Sequence, residues 1–147
     1  MINKYNFPIK LTDKVRMTYI DSRAHKGRLL HAVDFITKKG IPIMAALEGI
    51  VVDVKQDSNI GGNTKGYDKY SNYIEIRHKN KEYSIYEHIR QNGSLVKVGD
   101  KVKRHQIIGY SGATGWLAGL GPHLHFDVHK YFGKGPEDYE SIEIRWR

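Results

Sequence analysis

The stretch Gly121-Pro122-His123-Leu124-His125-Phe126-Asp127-Val128 carries the residues best suited to chemistry. Phe126 and Val128 are strand formers and the run alternates, so an extended chain sorts it onto two faces. His123, His125 and Asp127 share one face; Leu124, Phe126 and Val128 share the other and suit a core. Two imidazoles side by side on a sheet present a metal ligand next to a catalytic base. A lone histidine reads as an ordinary solvated side chain, but a pair at this spacing, entered through a Gly-Pro turn, points to a metal site. Asp34, in Ala32-Val33-Asp34-Phe35, is an acid inside an apolar strand. Burying it calls for a cation or several donors, whether a metal or a neighbouring Lys or Arg. Tyr86-Glu87-His88-Ile89 adds a third imidazole on another strand.

Composition narrows the chemistry. The 147 residues contain no cysteine, which excludes disulfides and thiolate zinc sites and leaves His and carboxylate to hold any transition metal. The length suits one domain with a sizeable core. The net charge of +8 fits nucleic acid or an anionic surface such as a bacterial cell wall or membrane. The charges are dispersed, and neither a recognition helix nor an RNP-like block is visible, which makes a nucleic-acid partner the weaker expectation. Residues 1–10 lack the apolar run of a signal peptide, and no stretch approaches about 18 apolar residues, so neither a leader nor a spanning helix is expected in this sequence.

Fifteen glycines and ten tyrosines, with few Ala- or Leu-rich runs, predict a mainly antiparallel β domain with little helix. Besides the opening strand, strands are expected within 15–20, 31–36, 41–46, 49–54, 72–78, 82–89, 95–98, 101–102, 106–110 and 142–146. Lys79-Asn80-Lys81 marks a hairpin turn. Two Gly-rich loops, 58–71 and 111–122, should wall a groove in which Tyr67, Tyr70 and Trp116 offer flat surfaces.

In chain order, the blocks Ala32-Val33-Asp34-Phe35, Gly40-Ile41-Pro42-Ile43-Met44-Ala45-Ala46, Gly49-Ile50-Val51-Val52 and Asn72-Tyr73-Ile74-Glu75-Ile76-Arg77-His78 carry a family likeness. Tyr86-Glu87-His88-Ile89, Val96-Lys97-Val98-Gly99-Asp100-Lys101-Val102, Gln106-Ile107-Ile108-Gly109, Ser111-Gly112-Ala113-Thr114-Gly115 and Pro122-His123-Leu124-His125-Phe126 extend it. Together they resemble the lysostaphin-like, LytM-type zinc metallopeptidases, enzymes that cut peptide bonds in peptidoglycan. The resemblance covers residues 25 to 130 or so and implies a β-sandwich-like fold of antiparallel sheet. Beside that metallopeptidase domain (25–132), the polar residues 1–24 read as an N-terminal arm packed on it and 133–147 as a C-terminal extension with one edge strand.

The family pattern implies one zinc ion per chain, with Asp34 and His125 as ligands and with His88 and His123 flanking the attacking water. It takes its first ligand from His-x-x-x-Asp, whereas this chain reads His31-Ala32-Val33-Asp34, one residue short. Positions three apart on a regular strand face opposite sides, so His31 and Asp34 need a bulge to share a metal. A branch of the family places a Ser-His-x-Gly-like turn before an Ala-x-Asp-Phe strand. His25, in Ala24-His25-Lys26-Gly27, fits that form and is preferred over His31 as the first ligand. His78, His105 and His129 are expected at the surface.

The function implied is zinc-dependent endopeptidase cleavage of a peptidoglycan cross-bridge or stem peptide through an activated water. His123 would take the water's proton, and His88 would orient the water or stabilise the oxyanion. Asp127 would fix an imidazole tautomer, and Tyr86 would be a further oxyanion donor. The expected partners are an extended wall peptide and the anionic wall, at or outside the cell surface. Two rivals stand beside this reading. One is a catalytically silent domain of the same fold that binds or regulates a partner. The other is a biotinyl- or lipoyl-like carrier, suggested by residues 96–109 but lacking a modifiable Lys after Met44.

Overall fold

The computed structural model describes residues 2–19 and 25–147. In the first half of the chain the strands are β1 (Arg16–Thr18), β2 (Val33–Ile36), β3 (Pro42–Met44), β4 (Gly49–Lys55), β5 (Gly61–Gly62) and β6 (Tyr73–Arg77). The second half supplies β7 (Tyr83–Glu87), β8 (Ile89–Ser94), β9 (Lys101–Val102), β10 (Ile107–Ser111), β11 (Gly115–Trp116), β12 (His123–Tyr131) and β13 (Tyr139–Ser141). Helical segments among the described residues are short 3-10 turns at Gly27–Leu29, Lys65–Tyr70 and Lys79–Lys81. No helix there is long and apolar enough to cross a membrane.

An antiparallel sheet runs β1-β2-β12-β7-β6-β4-β9, with β13 also paired to β12. A smaller antiparallel sheet runs β3-β10-β8, and β11 pairs β5 in parallel between the two Gly-rich loops. Strand alternation decides which side chains meet. Val33, Phe35, Ile74, Ile76, Tyr86, Leu124, Phe126 and Val128 of the large sheet pack with Ile43, Ile89 and Ile108 of the small one. The opposite face of the large sheet is left for polar side chains, and that face carries the site.

The arm and the tail close the core. Tyr5 bridges Trp146, whose ring packs on Phe7 at 4.7 Å and Phe126 at 6.0 Å. Both termini also converge on Glu82, a buried carboxylate in the β6–β7 hairpin. It accepts hydrogen bonds from Tyr5 Oη (2.7 Å), Asn3 Nδ2 (3.0 Å) and Arg145 Nη2 (2.5 Å).

The expected strand at 82–89 is broken at His88, whose φ of 68° lies in the left-handed region. It therefore splits into β7 and β8. Residues 95–98 are not a strand; Leu95 and Val98 are exposed, and the chain there turns through Gly99 at φ 96°. The tail strand lies at Tyr139–Ser141 rather than 142–146, because a turn closed by Phe132 N–H to Asp138 O (3.0 Å) folds it straight back onto β12. The strand expected at 15–20 is observed as β1; Ile20 lies outside the described residues.

Candidate metal centre

Asp34 on β2 lies directly across from His125 on β12. His25 precedes the Gly27–Leu29 turn, where Gly27 takes φ 57°, a conformation glycine adopts at no steric cost. The ligating atoms of His25, Asp34 and His125 all lie within 4.8 Å of one another, and all three residues are buried. His25 Nε2 is 3.2 Å from Asp34 Oδ2, and His125 Nδ1 is 3.2 Å from Asp34 Oδ1.

Hydrogen bonding says what this cluster wants. His25 Nδ1 donates to the Tyr19 carbonyl at 2.8 Å, which leaves Nε2 as a bare lone pair. His25 Nε2 and both Asp34 oxygens are buried without a hydrogen-bond partner. Buried acceptors converging on one point without a hydrogen-bond partner are costly unless a cation sits among them. Two imidazoles and one carboxylate, in a chain without thiols, form a donor set that fits Zn²⁺ with one position left open. Burial alone would raise the Asp34 carboxyl, but His125 and His25 beside it hold it far below the usual carboxylate range. Burial likewise opposes charging His125, yet Asp127, Asp34 and Glu87 outweigh it and raise its pKa well above the usual imidazole value. A divalent cation drawn by the same negative charge would take the place of the Nδ1 proton, so that metal uptake releases a proton.

Two further imidazoles face the cluster. His123 Nε2 lies 3.7 Å from Asp34 Oδ1, and its Nδ1 donates to the Gly121 carbonyl at 2.8 Å. His88 packs against His123 with ring centroids 4.5 Å apart, and its Nδ1 donates to the Thr114 carbonyl at 2.7 Å. Burial lowers the pKa of both, and for His88 the neighbouring His123 adds to the effect. Each is therefore a neutral ring with Nε2 free to accept. Regular alternation would send His88 to the core side with Tyr86; its left-handed backbone turns it to the metal side instead. The turn is secured by His88 N–H to Asn72 O (2.9 Å) and by Thr114, whose hydroxyl donates to Ile89 O at 2.7 Å.

His31 is exposed two residues before β2, its backbone N–H donates to Ser141 Oγ, and it takes no part in the His25–Asp34–His125 cluster. Tyr86, expected as an oxyanion donor, is fully buried on the opposite face, with its hydroxyl accepting from Ala46 N–H at 2.9 Å. His105 is exposed as expected. His78 and His129 are not at the surface. His78 spans Glu48 O and Ser84 Oγ, both at 2.8 Å. His129 is 1% exposed, because β12 continues its alternation past the His-x-His pair and sets 123, 125, 127 and 129 on one face. Glu87 and Glu75 were missed as well. Both lie on the polar face and line an open cleft of about 760 Å³ beside the cluster, together with Tyr73, Trp116, Tyr131 and Tyr139.

Residues 28–138 match the model of peptidase family M23. Over 114 residues the chain is 35% identical to the peptidoglycan DD-endopeptidase ShyC of Vibrio cholerae, covering 74% of this chain and 22% of that protein. The structure resembles a zinc-containing peptidase from Vibrio cholerae (TM-score 0.59, 30% identity, 86% of this chain and 36% of that one). It also resembles the catalytic domain of lysostaphin from Staphylococcus simulans (TM-score 0.60, 28% identity, 86% and 88%). The chain spans only 18% to 39% of the length of such curated relatives. With its sheet order, its buried His-Asp-His cluster and the match over residues 28–138, this chain belongs to peptidase family M23.

Proposed function

We propose that this chain is a zinc metalloendopeptidase that hydrolyses peptide bonds in peptidoglycan. The observation that carries the reading is the convergence of His25 Nε2, Asp34 Oδ1 and Oδ2 and His125 Nδ1 on one point, walled by two neutral imidazoles. His25, Asp34 and His125 would hold the ion. Bound there, zinc supplies a Lewis acid for the scissile carbonyl and lowers the pKa of water towards about 7. His123, with Nε2 unprotonated and its ring pinned by the Gly121 carbonyl, accepts the proton of the attacking water and returns it to the departing amine. In its resting form His88 can only accept at Nε2, so it orients the water, and it becomes a donor to a developing oxyanion only after protonation.

The names of the relatives, peptidoglycan endopeptidases among them, support a wall peptide as substrate and the cell wall or cell exterior as the place of action. The cleft accommodates an extended peptide between aromatic walls, and the net charge of +8 favours an anionic surface. Residues 25–132 form the catalytic unit in this reading, flanked by the arm (1–24) and the extension (133–147).

The test is zinc content and wall-peptide cleavage of the wild type beside His25→Ala, His31→Ala and Asp34→Ala. About one zinc per chain and cleavage, both lost with His25 and Asp34 and kept without His31, is the expected result. A folded wild type that takes up no zinc would overturn the reading. Zinc uptake without cleavage of any wall peptide would leave a silent binding domain.

A further inference from the structure

Behind His125, on the side away from the metal cluster, runs a continuous chain of buried polar contacts. His125 Nε2 faces Asp127 Oδ2 at 3.4 Å. Asp127 Oδ1 accepts from His129 Nδ1 at 2.6 Å, His129 Nε2 donates to Glu75 Oε1 at 2.7 Å, and Tyr131 Oη donates to the same oxygen at 2.7 Å. The Asp127 and His129 side chains are 0% and 1% exposed. An imidazole whose two nitrogens each meet a carboxylate oxygen must donate from both, so His129 is an imidazolium. Burial works against that charge, but Asp127 and Glu75 prevail and raise the His129 pKa to about 9. Tyrosine rings fix its plane: Tyr83 stacks on it at 11°, Tyr139 lies 4.6 Å away and Tyr131 meets it edge-on at 5.2 Å.

We propose that His129 is a positioning residue for the metal centre: it locks the Asp127 carboxylate so that its second oxygen accepts a hydrogen bond from His125 Nε2–H, which keeps that proton on Nε2 and leaves Nδ1, facing Asp34, as the nitrogen that would meet the metal. The role rests on His125 being a metal ligand, as proposed above. An unheld Asp127 would be free to rotate, and Glu87 Oε2, 3.5 Å from the same His125 nitrogen, would compete for its proton. The β12–β13 hairpin joins the device by bringing Tyr139 against the imidazolium.

A pair of variants separates positioning from plain structural support. In His129→Asn the amide nitrogen stands where Nδ1 stood and keeps the bond to Asp127 while losing Glu75. In His129→Gln it stands where Nε2 stood and keeps Glu75 while losing Asp127. Both remove the charge and both retain one hydrogen bond, so a purely structural role predicts similar losses. Positioning predicts that His129→Asn keeps zinc affinity near wild type, whereas His129→Gln loses about 10–100-fold by chelator competition. The Co²⁺ absorption spectrum should change only in His129→Gln.

Should either variant fail to fold, ¹⁵N NMR of the metal-free wild type at pH 7 still decides, since both His129 ring nitrogens must be protonated. A single protonated nitrogen, or equal zinc affinity and spectra in the two variants, overturns the role of His129 and leaves the metal centre standing. A wild type that shows the imidazolium but binds no zinc overturns the centre itself, and the positioning role with it.

Discussion

Asp34 lies close to three imidazoles yet hydrogen-bonds to none, so a cation among them is what would keep its charge inside the protein at low cost. Replacing it with Asn removes the charge and one oxygen donor without changing the shape. Asp34→Asn should therefore lower zinc affinity by more than about 100-fold, beyond the loss typical of a partner that only orients a ligand, measured by chelator competition. His123→Ala and His88→Ala test the other half of the centre. Each should keep zinc and lose about 10²–10⁴-fold in kcat, the usual worth of a positioned proton acceptor. Both rings are held below the ordinary imidazole value of 6.5, and the protonated rings cannot accept. The acid limb of kcat/KM should accordingly lie below pH 6.5, and activity should fall only as pH drops through that limb. Asp34, His88, His123 and His125 were legible in the sequence because chemistry and spacing coincide there. His129 was not, since nothing in Val128-His129-Lys130 shows that Glu75, 54 positions away, meets its ring.

The element that aims His88 is the Gly-rich turn after β10. Gly115 takes φ 86°, and a Cβ there would come within 2.5 Å of Ser71 Cβ. Its neighbour Thr114 supplies the carbonyl that holds His88. Gly115→Ala should cost about 1–3 kcal/mol in denaturant unfolding. It should reduce kcat while leaving zinc affinity intact, because the three candidate ligands sit on β2, on β12 and before the Gly27–Leu29 turn. Loss of zinc in this variant would mean that the loop supports the whole centre rather than His88 alone. Strand identities were readable wherever alternation was clean, as in β4, β6 and β12. The break between β7 and β8 was not readable, because a left-handed backbone at His88 is imposed by Asn72 and Thr114 and not by its own sequence.

Over the whole molecule, the termini and the buried imidazolium carry separable parts of the stability. Trp146 covers Phe7, Phe35 and Phe126 from the end of the chain, and its replacement by Ala should cost about 3 kcal/mol while sparing zinc binding. His129 sets a pH dependence of known sign. Its folded-state pKa of about 9 lies above the ordinary 6.5, so its contribution is complete below about 6.5 and is lost as pH rises through about 9. Thermal melts of the metal-free protein should fall steadily between pH 7 and 10, by on the order of 5–10 °C. His129→Asn should flatten that slope, and an equal slope in the variant would place the titration elsewhere.

The sequence by itself determined the β class, the thiol-free metal chemistry and the two-faced strand at 123–128, which are properties of residue type and short-range period that a linear chain displays directly. The candidate set His25, His88, His123, His125 and Asp34 came from its resemblance to the lysostaphin-like family rather than from any period. Tertiary structure decided that Tyr86 belongs to the core, and it placed the preferred His25, not His31, in the cluster. It also buried His129 between Asp127 and Glu75. Each of these depends on strand register and on backbone angles set by contacts far apart in the chain, and no local pattern encodes them.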